Sequence, residues 1–140
     1  MIKKIHHLAV AVEDLEAAAR FYKDALGLAF SGPETVAAQK TKVGFLEIDE
    51  CSIELVQPTE EGSPLTKFLK AKGPGMHHIC FEVDDIEAEV KSLLERGVAM
   101  VDKKPRPGAH GSKVAFIHPS ATSGVLIELC EMPRGDQNPA

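Results

Sequence analysis

An internal duplication constrains the fold of this chain more than any other feature of its sequence. The 13 residues Ile5–Ala17 recur without a gap as Met76–Ala88, at an offset of 71 positions. The segment Lys42–Leu46 also returns at this offset, and Ser52–Leu55 returns as Leu126–Leu129 at an offset of 74. Self-similarity at a fixed offset indicates a repeated structural unit. The sequence therefore predicts two copies of one unit that share a fold.

Each copy opens with a histidine in a short apolar run and closes with a glutamate in another. The matched positions are His7 and His78, then Glu54 and Glu128. A glutamate buried without a partner in an apolar strand is costly, yet both copies keep one. Imidazole and carboxylate together suit a borderline divalent ion, and four such ligands leave two positions of a six-coordinate ion open. The repeat therefore predicts one metal site shared by the two halves, with room for a substrate that offers two neighbouring oxygens.

Period-two alternation predicts which histidine of each pair serves the site. His7 alternates with small residues, Ala9 and Ala11, on one face of a strand that runs from Ile5 to Val12. His6 and His77 fall on the other face, so we expect them to point away from the metal.

Capping residues predict the remaining elements of the first half and the connection. Asp14 reads as the N-cap of a helix that Gly27 ends, and a loop is expected from Glu34 to Lys40. A hairpin turns over Asp49-Glu50, and a short linker helix follows the Ser63-Pro64 pair.

The second half should repeat this order. A helix is predicted from Asp85 to Arg96, with a strand near Val98 to Val101 and a basic loop from Lys103 to Gly111. The chain end from Pro133 to Ala140 carries no pattern and is expected to fray.

Composition narrows the class of protein. A chain of 140 residues with 44% hydrophobic and 26% charged residues is typical of one globular domain. The net charge of −5 disfavours nucleic acid or an anionic membrane as a partner. The three cysteines are odd in number and lack metal-finger spacing, so we interpret them as reduced, buried apolar residues. With no signal-peptide pattern and no long apolar run, a cytoplasmic location is expected.

The motifs resemble those of a known superfamily. The halves are similar to the βαβββ modules of the vicinal oxygen chelate superfamily, and the chain resembles in particular its methylmalonyl-CoA epimerase family from about residue 5 to 131. The segments that carry this resemblance are His7–Leu15, Glu54–Pro58, Ser63–Leu69, Gly75–Ile79, Gly108–Gly111, Phe116–Pro119 and Gly124–Leu129. Among them, Gly75–Ile79 and Phe116–Pro119 are the more specific.

The resemblance implies an α+β fold in which two tandem βαβββ modules form a curved, half-barrel mixed sheet around a metal cleft. It implies a single domain over residues 1–140, with module 1 at about 5–57, the linker helix at about 63–73 and module 2 at about 76–131. By this resemblance His7, His78 and Glu128 fall on the metal ligands, and Glu54 falls where epimerases have Gln or Glu as a further ligand. Co²⁺ is the favoured ion, with Mn²⁺, Ni²⁺ or Zn²⁺ as alternatives. The implied partners are an acyl-CoA substrate and a second copy of the chain.

The implied activity is interconversion of (R)- and (S)-methylmalonyl-CoA, a step of propionate metabolism, by proton transfer through an enolate. Glu128 and Glu54 are the candidate acid and base on opposite faces of the substrate. A carboxylate bound to a divalent cation is a weak base, however, unless it loosens from the ion. Some epimerases have a separate Glu just before the segment that aligns with Gly44-Phe45. This chain has Val43 there, and Glu47 is a weak substitute.

Basic and polar side chains could receive the substrate. Several basic residues lie on turns and suit the phosphates of CoA, and two further polar residues are candidates for the pocket. The predicted substrate-binding residues are Gln39, Lys103, Arg106, His110 and Lys113.

Three other functions remain open. Glyoxalase I has a site of two His and two Glu and acts on a glutathione hemithioacetal. The presence of Glu54 in place of Gln slightly favours this enzyme. A drug-binding module of this fold would sequester a ligand without chemistry and would have no reason to keep four ligands. A ring-cleaving dioxygenase would need two His, one carboxylate and iron, usually in a longer chain.

Overall fold

A computed structural model describes residues 1–134 of the chain. Within this range it contains eight strands and three α-helices. In chain order they are β1 (Ile2–Ala11), α1 (Leu15–Arg20), β2 (Ala29–Val36), β3 (Thr41–Ile48), β4 (Cys51–Pro58), α2 (Pro64–Lys72), β5 (Gly75–Val83), α3 (Ile86–Glu95), β6 (Arg106–Pro107), β7 (Lys113–Ile117) and β8 (Ile127–Glu131). The hydrogen-bonded strand order of this mixed sheet is β2-β3-β4-β1-β5-β8-β7-β6. The predicted α+β class and the βαβββ order of each half are confirmed.

The chain divides into two compact units. One unit is His7–His77, and the other joins Met1–His6 to the chain from His78 onward. In the first unit β1 runs parallel to β4, and β3 is antiparallel to both β2 and β4. Its core packs α1 against the sheet through Leu15, Leu46 and Leu55, each with no exposed surface.

The second unit repeats this pairing. Strand β5 runs parallel to β8, and β7 is antiparallel to β6 and β8. Helix α3 buries Ile86 and Val90 against Ala115 and Leu129 of the sheet. Both units thus cover one sheet face with a helix and leave the other face for the histidine and glutamate side chains.

The helix starts preserve the duplication in detail. The carboxylates of Asp14 and Asp85 accept from the third helical N–H group, each at 3.1 Å. The Leu15 N–H donates to Oε1 of Gln57 at 2.8 Å, and the Ile86 N–H donates to Oε1 of Glu131 at 2.9 Å. Each helix therefore has two of its first N–H groups satisfied by side chains, as a capped N-terminus requires.

The structure differs from the predicted elements at several places. The expected loop from Glu34 to Lys40 begins late, since residues up to Val36 continue β2 beyond an irregularity between Ser31 and Glu34. The first helix changes to a π-helical turn at Phe21–Ala25 before it ends. The strand expected near residues 98–101 is reduced to one bridge, between Met100 and Ile117.

Local features of the sequence and of strand pairing explain the differences at β2 and in the basic loop. The Gly32-Pro33 pair interrupts the alternation from which β2 would have been recognised. The short strand β6 pairs with β7 from inside the predicted basic loop, because pairing with a neighbour overrides a turn-rich composition.

The described helices are all too short or too polar to cross a lipid bilayer. The predicted fraying of the chain end lies outside the described residues, apart from its first two positions.

Candidate metal centre

The first histidine and glutamate form a buried pair within one unit. In the parallel register His7 lies beside Ser52, and Glu54 is two positions further on the same face of β4. Nε2 of His7 lies 3.2 Å from Oε1 of Glu54, and the two residues are 5% and 6% exposed. The ring of Phe45 packs edge-on against His7, with 5.9 Å between the ring centroids. The pairing of β1 with β4 and the ring of Phe45 therefore hold this pair in place.

The second pair has the same construction in the other unit. Glu128 on β8 lies beside Cys80, two residues beyond His78 on β5, as Glu54 lies beside Ala9. Nε2 of His78 lies 2.8 Å from Oε1 of Glu128, and the residues are 6% and 4% exposed. Phe116 packs edge-on against His78, with a centroid distance of 5.3 Å. The duplication is thus retained in register, in distance and in the aromatic contact.

The four side chains each offer one ligand atom, and these atoms lie within 4.8 Å of one another. Ligands on opposite sides of one divalent ion lie about 4.2 Å apart, given metal–ligand bonds of about 2.1 Å. Two imidazole nitrogens and two carboxylate oxygens are also the donors that such an ion prefers. The cluster of His7, Glu54, His78 and Glu128 therefore fits a divalent metal ion.

The neighbouring histidines are not in this cluster, in agreement with the alternation. His77 packs edge-on against Phe68 of α2, with 4.8 Å between the centroids. His6 belongs to a different group, with Cys80 and Cys130. No signal in the sequence pointed to that group, because each cysteine on its own is typical of a buried core position.

Arg106 has a contact that links it to the cluster. Its guanidinium lies 5.6 Å from the centroid of the Phe116 ring, the same ring that contacts His78. Its Nε also lies 3.2 Å from Oδ1 of Asp102, whose Oδ2 accepts from the Phe116 N–H at 2.9 Å. Asp102, which the sequence analysis missed, therefore holds both partners of this stack.

The other predicted substrate-binding residues lie at or near the surface. Lys113 is exposed and pairs with Glu87 at 3.7 Å, and Lys103 lines an open groove of about 490 Å³ beside α3. His110 is exposed and adopts a left-handed backbone conformation, with φ of 57°. Gln39 is half-buried at the end of a short 3₁₀ turn. Their roles stay predictions.

Val43 and Glu47 lie at and near the position where some epimerases have a separate Glu. Val43 is 1% exposed, so it fills a core position, while Glu47 is exposed. Glu47 lies two positions beyond Phe45 on β3, and its role as a base stays a prediction.

Comparison with known proteins identifies the family. The model of the Glyoxalase/Bleomycin resistance protein/Dioxygenase superfamily matches residues 6–116. The chain belongs to this superfamily. Within it, the chain is 42% identical over 132 residues to an ethylmalonyl-CoA/methylmalonyl-CoA epimerase of Cereibacter sphaeroides, covering 92% of the chain and 98% of that relative. It is 41% identical over 127 residues to the mitochondrial methylmalonyl-CoA epimerase of Bos taurus, covering 90% and 73%.

A solved superfamily structure agrees with these relatives. A methylmalonyl-CoA epimerase in complex with methylmalonyl-CoA and NH₄⁺ superposes with a TM-score of 0.92, at 31% identity. The match covers 96% of this chain and 97% of that one. The fold of this superfamily, expected from the sequence motifs, is thereby confirmed.

Proposed function

We propose that this chain is a metal-dependent epimerase that interconverts (R)- and (S)-methylmalonyl-CoA. The observation that carries the proposal is the cluster of two imidazoles and two carboxylates, buried and within 4.8 Å of one another. Relatives that share about two fifths of their residues with the chain are named as epimerases of this substrate. A cluster of this composition suits a substrate with a thioester oxygen and a carboxylate oxygen close together.

The proposed ligands of the ion are His7, Glu54, His78 and Glu128. When bound, a divalent ion would act as a Lewis acid and stabilise negative charge on the oxygen of the substrate. The chain's own contribution is preorganisation, since each imidazole is fixed by its strand, by its glutamate and by an aromatic ring. We favour Co²⁺ from the resemblance, with Mn²⁺, Ni²⁺ or Zn²⁺ as alternatives.

The reaction requires one proton to leave C2 and one to return on the opposite face. We assign these transfers to the carboxylates of Glu54 and Glu128, which come from the two halves of the duplication. Because a carboxylate bound to a divalent cation is a weak base, each would act while loosened from the ion. One carboxylate accepts the C2 proton as the C–H bond breaks, and the electron pair moves into the thioester as an enolate. The other carboxyl group, protonated, delivers a proton to C2 from the other face.

The burial of the two glutamates supports this assignment. They are 6% and 4% exposed, so exchange of their protons with solvent is restricted during the lifetime of the enolate. The core position of Val43 supports it as well, because no separate base stands at that point of β3.

Arg106 is the best supported of the proposed substrate-binding residues. Its stack on Phe116 fixes a guanidinium close to one of the cluster's aromatic walls, where it can donate two hydrogen bonds to an anionic group of the substrate. Lys103 and Lys113 are proposed to contact the phosphates of CoA, and Gln39 and His110 to contact the acyl-CoA chain. Lys103, Lys113 and His110 are exposed and Gln39 is half-buried, so each has surface that a long, polar ligand can contact.

The organisation of the protein is proposed on the same basis. We propose a single domain built from the two modules, present as a homodimer in the cytoplasm. Three cysteines with no disulfide between them support a reducing compartment.

Glyoxalase I activity is the second candidate, because Glu54 completes a ligand set of two His and two Glu. The named relatives favour the epimerase, and nothing in the described residues favours a hemithioacetal. A module that only sequesters a ligand would not need two buried carboxylates beside two imidazoles.

Isotope exchange separates the candidates. The protein would be incubated in D₂O with methylmalonyl-CoA and, separately, with the hemithioacetal of glutathione and methylglyoxal. The proposal predicts incorporation of deuterium at C2 of methylmalonyl-CoA and no turnover of the hemithioacetal. Hemithioacetal turnover without exchange at C2 would assign the chain to glyoxalase I. If both activities were absent, the ligand-binding module would be the remaining candidate.

A further inference from the structure

A second cluster of metal-ligand side chains lies within one compact unit. His6, Cys80 and Cys130 each offer one ligand atom, and these atoms lie within 4.8 Å of one another. All three belong to the unit that joins Met1–His6 to the chain from His78 onward. The cluster shares no residue with the four-residue metal centre.

Strand pairing places the two thiols side by side. Cys80 on β5 lies opposite Glu128, and Cys130 on β8 lies opposite Glu82, so the cysteines are diagonal neighbours on one face of parallel strands. They are 0% and 2% exposed, and they are not joined by a disulfide. Val114 and the thioether side chain of Met132 pack against them. A valine and a thioether thus pack against the thiols, and the buried residues Glu82 and Glu128 lie opposite them on the paired strands.

The duplication shows that packing alone does not require these thiols. The positions in the first half that match Cys80 and Cys130 are Ala9 and Val56, which are 0% and 4% exposed. The match of His6 is His77, which packs against Phe68. One half thus fills the same places with ordinary apolar side chains, and only the other half brings two thiols and an imidazole together.

We propose that His6, Cys80 and Cys130 bind a thiophilic divalent cation, with Zn²⁺ as the natural ligand. Thiolate and imidazole are the donors that Zn²⁺ prefers, whereas the four-residue centre offers only nitrogen and oxygen. Ligand atoms of a tetrahedral zinc site with bonds of about 2.3 Å to sulfur lie roughly 3.8 Å apart, so small side-chain movements close the observed cluster. Each thiol releases its proton to solvent on binding, and a fourth coordination position stays open.

The site would have a structural consequence. An ion held by β1, β5 and β8 would tie three strands together through their side chains. Because the first unit has no equivalent cysteines, this link would stabilise only the unit that contains them.

Cobalt spectroscopy of the purified chain tests the proposal. Co²⁺ bound to thiolate gives an intense charge-transfer band in the near ultraviolet, while Co²⁺ bound only to nitrogen and oxygen does not. Titration of metal-free, reduced protein with Co²⁺ is expected to fill both metal centres by two equivalents per chain and to give a band with the intensity of one thiolate-bound Co²⁺, which Zn²⁺ should abolish. The readout does not depend on epimerase activity, so its failure and the failure of the proposed function are distinguishable.

The first half of the chain supplies the replacement residues for the main test variant. Cys80→Ala with Cys130→Val installs the residues of the first half, and it should fold while losing the band. His6→Ala should keep the fold and weaken Co²⁺ binding on the order of tenfold or more. Cys51→Ala, at the half-exposed third cysteine, is the control and should leave the band unchanged. A wild-type chain without the band, or a band that survives in Cys130→Val and in the double variant, would overturn the proposal.

Discussion

Nε2 of His78 lies 2.8 Å from Oε1 of Glu128, and the equivalent atoms of His7 and Glu54 lie 3.2 Å apart. Each pair is fixed by a parallel strand pairing and by an edge-on phenylalanine, so neither depends on a flexible loop. A metal centre built on strands is preorganised, because its ligands lose little freedom when the ion binds. This construction, present twice, is the physical basis of the proposed function.

Removal of either proposed acid–base group should strongly slow epimerisation. We expect Glu54→Gln and Glu128→Gln each to lower the rate of deuterium exchange at C2 by about 10²- to 10⁴-fold, the usual contribution of general acid–base catalysis. The exchange is followed by mass spectrometry or by loss of the C2 proton signal.

Glu131→Gln is the matched control for these variants. It lies on the same strand as Glu128, and its role as acceptor for the Ile86 N–H is already filled by a glutamine, Gln57, in the first half. It should retain the exchange rate of the wild type. If Glu131→Gln lost exchange as completely as Glu128→Gln, the assignment of Glu128 would be wrong.

Removal of the metal should destabilise the fold. A ligand that binds only the native state at a hundred times its Kd adds about 2.7 kcal/mol to the free energy of unfolding. Urea unfolding with and without a chelator measures this difference. In a background of Cys80→Ala with Cys130→Val, which lacks the proposed thiolate site, the chelator should have a much smaller effect once His7→Ala is added, and an equal effect with and without His7→Ala would place the stabilising ion elsewhere.

The duplication itself was readable from the sequence, because a constant offset aligns His7 with His78 and the two strand patterns with each other. The strand face that carries His7 could be predicted from the alternation of residues around it. The helix starts could be predicted from Asp14 and Asp85, because each side chain caps the helix that begins at the next residue. The distances between the ligand atoms could not be predicted from the sequence, since they depend on which strands become neighbours in the sheet.

The cluster of His6, Cys80 and Cys130 was hidden for the same reason. Cys80 and Cys130 are 50 positions apart in the chain and become neighbours only through the pairing of β5 with β8. Asp102 was equally invisible, because its two partners, Arg106 and the Phe116 N–H, meet only after β7 is in place.

Gly44 should not tolerate a methyl group. A Cβ at this position would lie 2.5 Å from the ring of Phe30, so we expect Gly44→Ala to lower the free energy of unfolding by about 1–3 kcal/mol through overpacking. The matching position of the second half already carries Ala115, which is fully buried in its own core.

Urea unfolding of Gly44→Ala, of Phe30→Leu and of the double variant tests the cause. The smaller leucine should recover part of the loss, giving a favourable coupling between the two changes. Strict additivity of the two losses would show that the ring of Phe30 is not the obstacle.

Loss of the N-cap of α3 should cost about 1 kcal/mol of stability. Asp85→Ala leaves the Ala88 N–H without its side-chain acceptor, and N-cap replacements by alanine have costs of this size. The neighbouring Asp84, 62% exposed at its side chain, gives the control Asp84→Ala, which should change the free energy of unfolding by less than about 0.5 kcal/mol. Thermal or urea unfolding compares the two variants, and equal losses would contradict the capping role.

The central claim is that the two His–Glu pairs bind one ion together, and titration with Mn²⁺ followed by electron paramagnetic resonance tests it most directly. Mn²⁺ favours nitrogen and oxygen ligands over thiolate, so the signal of free Mn²⁺ reports on the four-residue centre. The account predicts one Mn²⁺ bound per chain, and loss of that binding in His7→Ala and equally in His78→Ala. Two ions per chain, of which each variant loses only one, would contradict it.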